Sequence, residues 1–410
     1  MWNLLKTASA ALILATTLGA IGFDHAAMAA KKPNRPQAAG KAETNTLADA
    51  QTKLALKLMQ GLASGADKPV NVLVSPASLA AVLAYLDLVA DGKMDAAIAK
   101  TLGIKAGNAT KAMNALRDAA KELAAVPPGS GPLSFGNAIF LSPAAGANPD
   151  ALAQLKGAGM EAMTANLGTP EGVEAVNKWV SDQTAKLIPT IIEKPTPAIF
   201  VALNALYFKD KWETSFDSAL TQSKPFHLTG GSTADVSMMQ LGESKLAFRQ
   251  DDRFIGVILP YKDKDYDLVV VTTKKDPAPL SDFAGADWLT GTGFTLTKGT
   301  VALPRFDAEM AAELLPALNK LGLAKGNRPT SFKKLSSTPI TIDEVIQKTV
   351  IKVDEEGTAA AAVTALTSRA MSTSGAKPIA MVVDRPFMFA LRDNKHQLVL
   401  LAGYVGNPVQ

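Results

Sequence analysis

The spacing of apolar positions changes about halfway along the chain. From Thr46 the segment TLADAQTKLALKLMQGL places apolar residues three and four apart and breaks near Gly61, which predicts a helix. NVLVSPASLAAVLAYLDLV predicts a short strand followed by a helix that is apolar on nearly every side, hence buried. Pro76 suits the first helical turn and Ser75 suits its cap. AAIAKTLGI, KAMNALRDAAKELAAV and EAVNKWVSDQTAKLIPTII continue the helical spacing. Two apolar runs interrupt them, LSFGNAIFLSP and the longer AIFVALNALYFKDKWETSF, and both predict strands.

After Phe216 the texture shifts to short alternating or apolar pieces: PFHLTGG, VSMMQLGE, KLAFRQ, RFIGVILPY and DYDLVVVTT, each predicted as a strand. VALPRFDAEMAAELLPALNKLGL predicts a strand and a helix, and strands close the chain through PFMFALRDNKHQLVLLAGYVGNP. Helices first and strands second predict an α+β fold rather than alternating βαβ units. No internal repeat appears at solenoid periods.

One segment fits neither texture. QKTVIKVDEE reads as a strand ending at Glu355 and Glu356, and strand-like sequence returns only at IAMVVDRPFMFAL. From Gly357 to Ser368 there is no charge, no proline and no aromatic ring. A solvated loop is polar and punctuated by Gly and Pro, whereas this segment has the composition of something buried.

Composition narrows the class. At 410 residues and 47% hydrophobic, the chain can bury a large core. Charged residues at 20% exclude wholesale disorder. The net charge of +4 is mild, and no Lys/Arg run with interleaved aromatics occurs, so nucleic acid is not an expected partner. The start carries Lys6, an apolar run from Ala8 to Phe23, and Ala27-Met28-Ala29 as an A-x-A cleavage site. Residues 1–29 therefore predict a cleaved export signal, 30–46 a polar linker and 47–410 one domain. The run is slightly short for a membrane span, so the expected location is secreted or periplasmic, with no membrane association after cleavage. The chain has no cysteine, which removes thiol nucleophiles, Cys-ligated zinc and disulfides together.

Catalytic motifs are sparse. The histidines are His25, His227 and His396, thin material for a triad and better read as surface or capping groups. Asp263, Asp265 and Asp267 alternate as in a calcium loop, but Leu268 and Lys274 replace the required Gly and Glu, leaving a charged turn before a strand. S-x-x-K occurs at Ser331–Lys334 and Ser374–Lys377 without the companion motifs of an acyl enzyme. No metal site or cofactor is expected.

NVLVSPASLAAVLAYL, VNKWVSDQTAKLI, FVALNALYFKDKWETSFD, VALPRFDAE, VDEEGTAAAAVT and DRPFMFALRDNKHQLVLLAGYVGNP resemble serpin signatures in serpin order, over roughly Leu47 to Pro408. The resemblance implies a helix-rich region packed on three β-sheets, with the unusual segment as an exposed reactive-centre loop. It implies a non-enzyme that acts as a monomer and forms a covalent acyl-enzyme with a target serine protease. The cut loop would then insert as a strand into the central sheet. The hinge would be Glu355, Glu356, Gly357, Thr358, Ala359, Ala360, Ala361 and Ala362.

The residues suit that role. An inserting strand must donate its ladder hydrogen bonds, and no proline occurs between Glu355 and Pro378. Thr358, Ala360, Ala362, Thr364 and Leu366 share one strand face and bring no charge inside. Gly357 supplies conformational freedom. Non-inhibitory serpins commonly spoil this hinge with bulky, charged or proline residues. Family spacing puts the scissile bond at Met371-Ser372, which suits elastase-like or chymotrypsin-like proteases. A shorter loop register would put it after Ala370, or after Arg369 for a trypsin-like enzyme.

Ser75, Ser78 and Asn204 match polar positions where the central sheet opens, and Trp212 matches the top of that sheet. Gln347-Lys348 stands where the family has His-Lys; Gln both donates and accepts, so the hydrogen-bond network can persist without a His-based pH response. VADGKMD departs from the family's glycine-rich block. The alternative function is a non-inhibitory serpin-fold binding or chaperone protein whose loop is cleaved without trapping.

Overall fold

Helices dominate the first half of the chain and strands the second, with strands set among the helices and two short helices among the later strands. The computed structural model describes residues 39–64, 71–283, 285–358 and 378–409. The stretch expected as an export signal, Ala359 to Ala362, Arg369, Ala370, Met371, Ser372 and the Ser374–Lys377 pair lie outside the described residues. Lys41–Gln410 forms one compact unit.

The helices are α1 (Ala39–Ala63), α2 (Pro76–Val89), α3 (Met94–Thr101), α4 (Ala109–Ala124), α5 (Pro149–Ala158), α6 (Pro170–Gln183), α7 (Ala286–Leu289) and α8 (Leu315–Leu321). α1 starts ahead of Thr46, so the end of the stretch expected as linker has helical backbone. α2 begins as its sequence predicts: Pro76 opens the first turn, and the Ser75 hydroxyl accepts from the Ser78 N–H.

The first strands are β1 (Val72–Val74), β2 (Leu133–Leu141), β3 (Glu161–Thr164), β4 (Phe200–Phe208) and β5 (Asp210–Lys211). Next come β6 (Gln222–His227), β7 (Thr233–Gln250), β8 (Phe254–Pro260), β9 (Tyr266–Thr273), β10 (Thr295–Pro304) and β11 (Phe306–Glu313). The last are β12 (Glu344–Val353), β13 (Gly357–Thr358), β14 (Ile379–Val382), β15 (Phe387–Asp393) and β16 (Leu398–Val405). DAEMAAE, rich in helix formers, is strand rather than helix, because β11 pairs with β12 along its whole length.

By continuous hydrogen bonding the strands form two sheets. The central one runs β3-β2-β4-β12-β13-β5, with β11 on β12. The other has nine strands, β1-β16-β15-β9-β8-β7-β10-β14, with β6 on β7. Its long strand β7 takes β6 beside its first part and β8 beside its last. A register break between Gly299 and Val301 bends β10 between those two parts. Split at β7, the larger sheet becomes two layers, which reconciles it with three sheets.

The two faces of the central sheet have different partners. Ala138, Phe140, Val201, Leu203, Ala205 and Val350 face Val173, Val176, Trp179 and Val180 of α6. The opposite face carries Phe200, Ala202, Leu206, Phe208, Val345 and Ile351 into the main core with α2 and the nine-stranded sheet.

Candidate functional site

Alternation along a strand decides which polar residues meet. Asn137, Asn204 and Gln347 stand opposite one another across β2, β4 and β12, on the face that meets α2. All are buried, as are Ser75 and Ser78 at the start of α2. Gln347 uses both ends of its amide. Its Oε1 accepts the Ser75 N–H at 2.7 Å and its Nε2 donates to the Ser75 carbonyl at 3.0 Å. The Ser75 hydroxyl donates to the Leu400 carbonyl at 2.6 Å. Through these two bonds Gln347 ties the sheet to the start of α2.

Asn204 is different. Among the described residues neither end of its amide has a partner, and the same holds for the Ser78 hydroxyl and the Thr349 hydroxyl. Buried amide and hydroxyl groups of this kind gain from a partner, about 1–3 kcal/mol each, and none of these three is engaged across the β4–β12 seam. Lys348 lies outside the cluster: one step along the strand, it faces the other side and pairs with Glu309. Replacing Gln347 by alanine leaves both backbone groups of Ser75 without that amide. A loss of about 1–3 kcal/mol in unfolding free energy is expected from urea melts of the variant.

The top of the sheet is open. β4 and β12 pair directly, in parallel, from Val201↔Glu344 to Tyr207↔Val350. Beyond that point they diverge, and β13 lies between them. Thr358 stands opposite Val353 of β12 on one side and opposite Asp210 of β5 on the other, antiparallel to both. The hinge thus enters the central sheet for two residues.

Several side chains hold it there. Asp354 Oδ1 accepts the Glu356 and Gly357 N–H groups, closing the turn after β12. The Thr358 hydroxyl is fully buried and 2.6 Å from the Tyr261 hydroxyl. Tyr261 stacks on Trp212 at 4.4 Å between ring centroids. Trp212 Nε1 donates to the Asp354 carbonyl at 2.9 Å, and its backbone N–H donates to the Glu356 carbonyl at 2.8 Å. Trp212 therefore stands at the mouth of the gap, beside the hinge.

Glu355 is 4% exposed and turns inward. Both carboxylate oxygens accept from Arg305 Nε, at 2.9 and 2.7 Å, and Oε1 also accepts from Thr221 Oγ1. Burial alone would raise its pKa, but these hydrogen bonds outweigh it and hold the carboxyl below its usual value. The same pairing raises Arg305 further. Glu356 faces Lys211 at 3.6 Å.

Gly357 has a second reason to be glycine. A Cβ there would lie 2.1 Å from the Asp210 carbonyl oxygen and 2.6 Å from Lys211 Cα. The hinge backbone passes too close to β5 for any side chain.

Tyr261, Arg305, Thr221 and Asp210 were not singled out from sequence. Tyr261 lies inside a block read only as a strand, Arg305 and Asp210 lie inside signature blocks but carried no assigned role, and Thr221 is an ordinary polar residue. Their distance along the chain from the hinge hides the contacts. The other sequence candidates stay apart. The Ser331 hydroxyl donates to the Gly326 carbonyl and accepts from the Arg328 N–H. Lys334 Nζ points instead at the Ala90 carbonyl and Asp91, so this Ser and Lys do not pair. Asp267 accepts from Arg392 and Asn394. Among the described residues no group of His, Asp and Glu is arranged to hold a metal ion.

A buried polar stripe thus lies beneath a parting pair of strands, with Gly357 and Thr358 seated in the gap. A family model described as Serpin (serine protease inhibitor) matches residues 49–408. The chain belongs to the serpin family. It is similar to plasminogen activator inhibitor 1 of Mus musculus, at 28% identity over 387 residues, covering 87% of this chain and 91% of that protein. In fold it is similar to a mouse protein-Z dependent protease inhibitor, with TM-score 0.76 and 22% identity over 89% of this chain and 98% of that one. It is equally similar to human thyroxine-binding globulin, with TM-score 0.77 and 21% identity over 89% of this chain and 99% of that one.

Proposed function

We propose that this chain is a serine protease inhibitor that is cut in the segment after Thr358 and then takes that segment into the central sheet between β4 and β12. The observation that carries the reading is the seating of Gly357–Thr358 between β12 and β5. Its register predicts the rest of the inserted strand. Continued downward, Ala360 comes opposite Ile351 and Phe208, Ala362 opposite Thr349 and Leu206, and Thr364 opposite Gln347 and Asn204. Each lands on the inner face. Alanine and threonine fit there without a clash or a buried charge, and the Thr364 hydroxyl arrives beside the amide of Asn204. The strand would bring partners to the polar stripe and gain a ladder on both edges.

In this reading the protein is a substrate that traps, not an enzyme. It works as an exported monomer, secreted or periplasmic. Its partner is an elastase-like or chymotrypsin-like protease held as an acyl-enzyme on Met371, with Ser372 released; cutting after Ala370 or Arg369 keeps the mechanism and changes the target class. Glu355 and Arg305 anchor the hinge, while Ser75, Ser78, Asn204 and Gln347 control opening of the sheet.

The test mixes the mature protein separately with elastase-like, chymotrypsin-like and trypsin-like proteases and examines the products on denaturing gels and by mass spectrometry. A complex that survives denaturant, with a released peptide beginning at Ser372, is expected. Cleavage in the loop with no complex and a fully active protease would overturn it. A binding protein whose loop is cut without trapping would then take its place, a reading that the likeness in fold to thyroxine-binding globulin supports.

A further inference from the structure

The turn between β15 and β16 carries a charged cluster that the hinge does not use. His396 is at its centre. Its Nδ1 lies 2.6 Å from Asp393 Oδ2 and its Nε2 lies 3.0 Å from Glu122 Oε2. Asp393 is in the same turn with its side chain 1% exposed, and Glu122 lies in the last turn of α4. The ring therefore joins two elements that are remote in sequence.

Most of the other charged groups around it have partners of their own. Lys395 bonds Glu122. Arg392 is held by both oxygens of Asp267 on β9. Asp265 and Tyr266 line the same cleft as Glu122, Asp393 and His396. Lys121 of α4 turns away to the Gly157 carbonyl.

Both ring nitrogens face carboxylate oxygens, so only the imidazolium can donate to both. In the neutral ring the shorter and more buried bond to Asp393 keeps its proton. The bare Nε2 lone pair then faces the Glu122 carboxylate, and that contact turns from attraction to repulsion. Lys395 still holds Glu122, but as an exposed pair of little strength.

The end of α4 matters because it leads toward the hinge. Residues 125–132 connect α4 to β2. The Gly129 N–H donates to the Ser134 hydroxyl at 3.3 Å. The Pro132 carbonyl accepts the Lys209 N–H at 2.7 Å, and the next residue, Asp210, stands opposite Thr358. The connector ends beside the hinge.

We propose that His396 is a pH-sensitive latch: protonated, it fixes the end of α4 and the connector behind it to the β15–β16 turn, and on losing its Nε2 proton it lets them go. This stands apart from the inhibitor reading. The hydrogen bond to Asp393 raises the ring above its ordinary 6.5, burial opposes this, and the bond to Glu122 adds to it. Glu122, bonded by Lys395 and His396, is lowered to about 2 and stays charged throughout. A raised folded value means that the latch is fully closed below 6.5 and opens as pH rises through the folded value.

The test tracks the histidine ring signals by NMR on the full chain, with His396→Gln to assign them. His396 is expected to titrate above 6.5, and Glu122→Gln is expected to move it down. Hydrogen exchange at Val126, Gly129 and Ser130, corrected for intrinsic rates, reads the connector. In the wild type it should rise about threefold as pH passes the ring's titration, and in His396→Gln it should be faster at low pH and flat. Titration at or below 6.5, no shift in Glu122→Gln, or identical exchange profiles in wild type and His396→Gln would each overturn the latch. Glu122 is exposed, so the glutamine variant reports on the latch even where His396→Gln disturbs the turn.

Discussion

Replacing Gly357 by valine is expected to expel the hinge from the central sheet. The valine Cβ would have to occupy space within 2.1 Å of the Asp210 carbonyl oxygen, and backbone there cannot move aside as a flexible side chain could. The hinge can only leave the gap between β12 and β5. With it goes the Thr358–Tyr261 hydrogen bond, and the buried Tyr261 hydroxyl loses its partner. Together these place the cost at about 2–3 kcal/mol, the range for forced overpacking plus one lost buried hydrogen bond. Two measurements read it. Urea unfolding gives the stability loss, and limited proteolysis should cut the Asp354–Thr358 stretch faster than in the wild type. If the chain traps a protease as proposed, the yield of covalent complex should also fall, because insertion must pass through the same gap. Unchanged stability and unchanged cleavage would mean that the seat of the hinge does not matter.

The second large effect is expected from Glu355→Lys. The carboxylate is buried and accepts three hydrogen bonds from Arg305 and Thr221. Lysine removes all of them and sets a second cation against Arg305. Breaking a fully buried pair costs about 3–5 kcal/mol; Arg305 is half exposed, so about 2–3 kcal/mol is expected. The pH dependence has a definite sign. The folded carboxyl is held below its ordinary 4.5, so its contribution is complete above 4.5 and disappears as pH falls through the folded value. The stability gap between wild type and variant should therefore close in acid. Adding Arg305→Glu restores opposite charges, and a double-mutant cycle should show coupling between the two sites. Additive effects would mean that the pair does not hold the hinge.

These two positions show how far the sequence could be read. Gly357 and Glu355 were named as hinge residues from the resemblance; composition alone marked the charge-free, proline-free run that begins beside them. The reason why Gly357 must be glycine could not be read there. Conformational freedom is a local property, whereas the close approach of β5 is made by a segment more than a hundred residues earlier. Asn204 and Gln347 could be named because they match positions of the serpin pattern. That one is satisfied and the other is not depends on α2 lying under Gln347, and on the register of three strands. Lys348 shows the same limit: one step of register sends it to the opposite face from its neighbour.

The sequence by itself determined where the chain is apolar and with what period, and hence the helical first half, the strands of the second and the one segment that resembles neither. It also determined what that segment can tolerate, since charge and proline are excluded residue by residue. Tertiary structure alone decided the partners. Tyr261, Arg305 and Thr221 converge on the hinge only because β4 and β12 part above Tyr207 and Val350. DAEMAAE, a helix former by composition, became a strand because the edge of β12 offered it a complete ladder. Periodicity is written within one segment, but hydrogen-bond satisfaction and close approach are made between segments, and the chain carries no local mark of them.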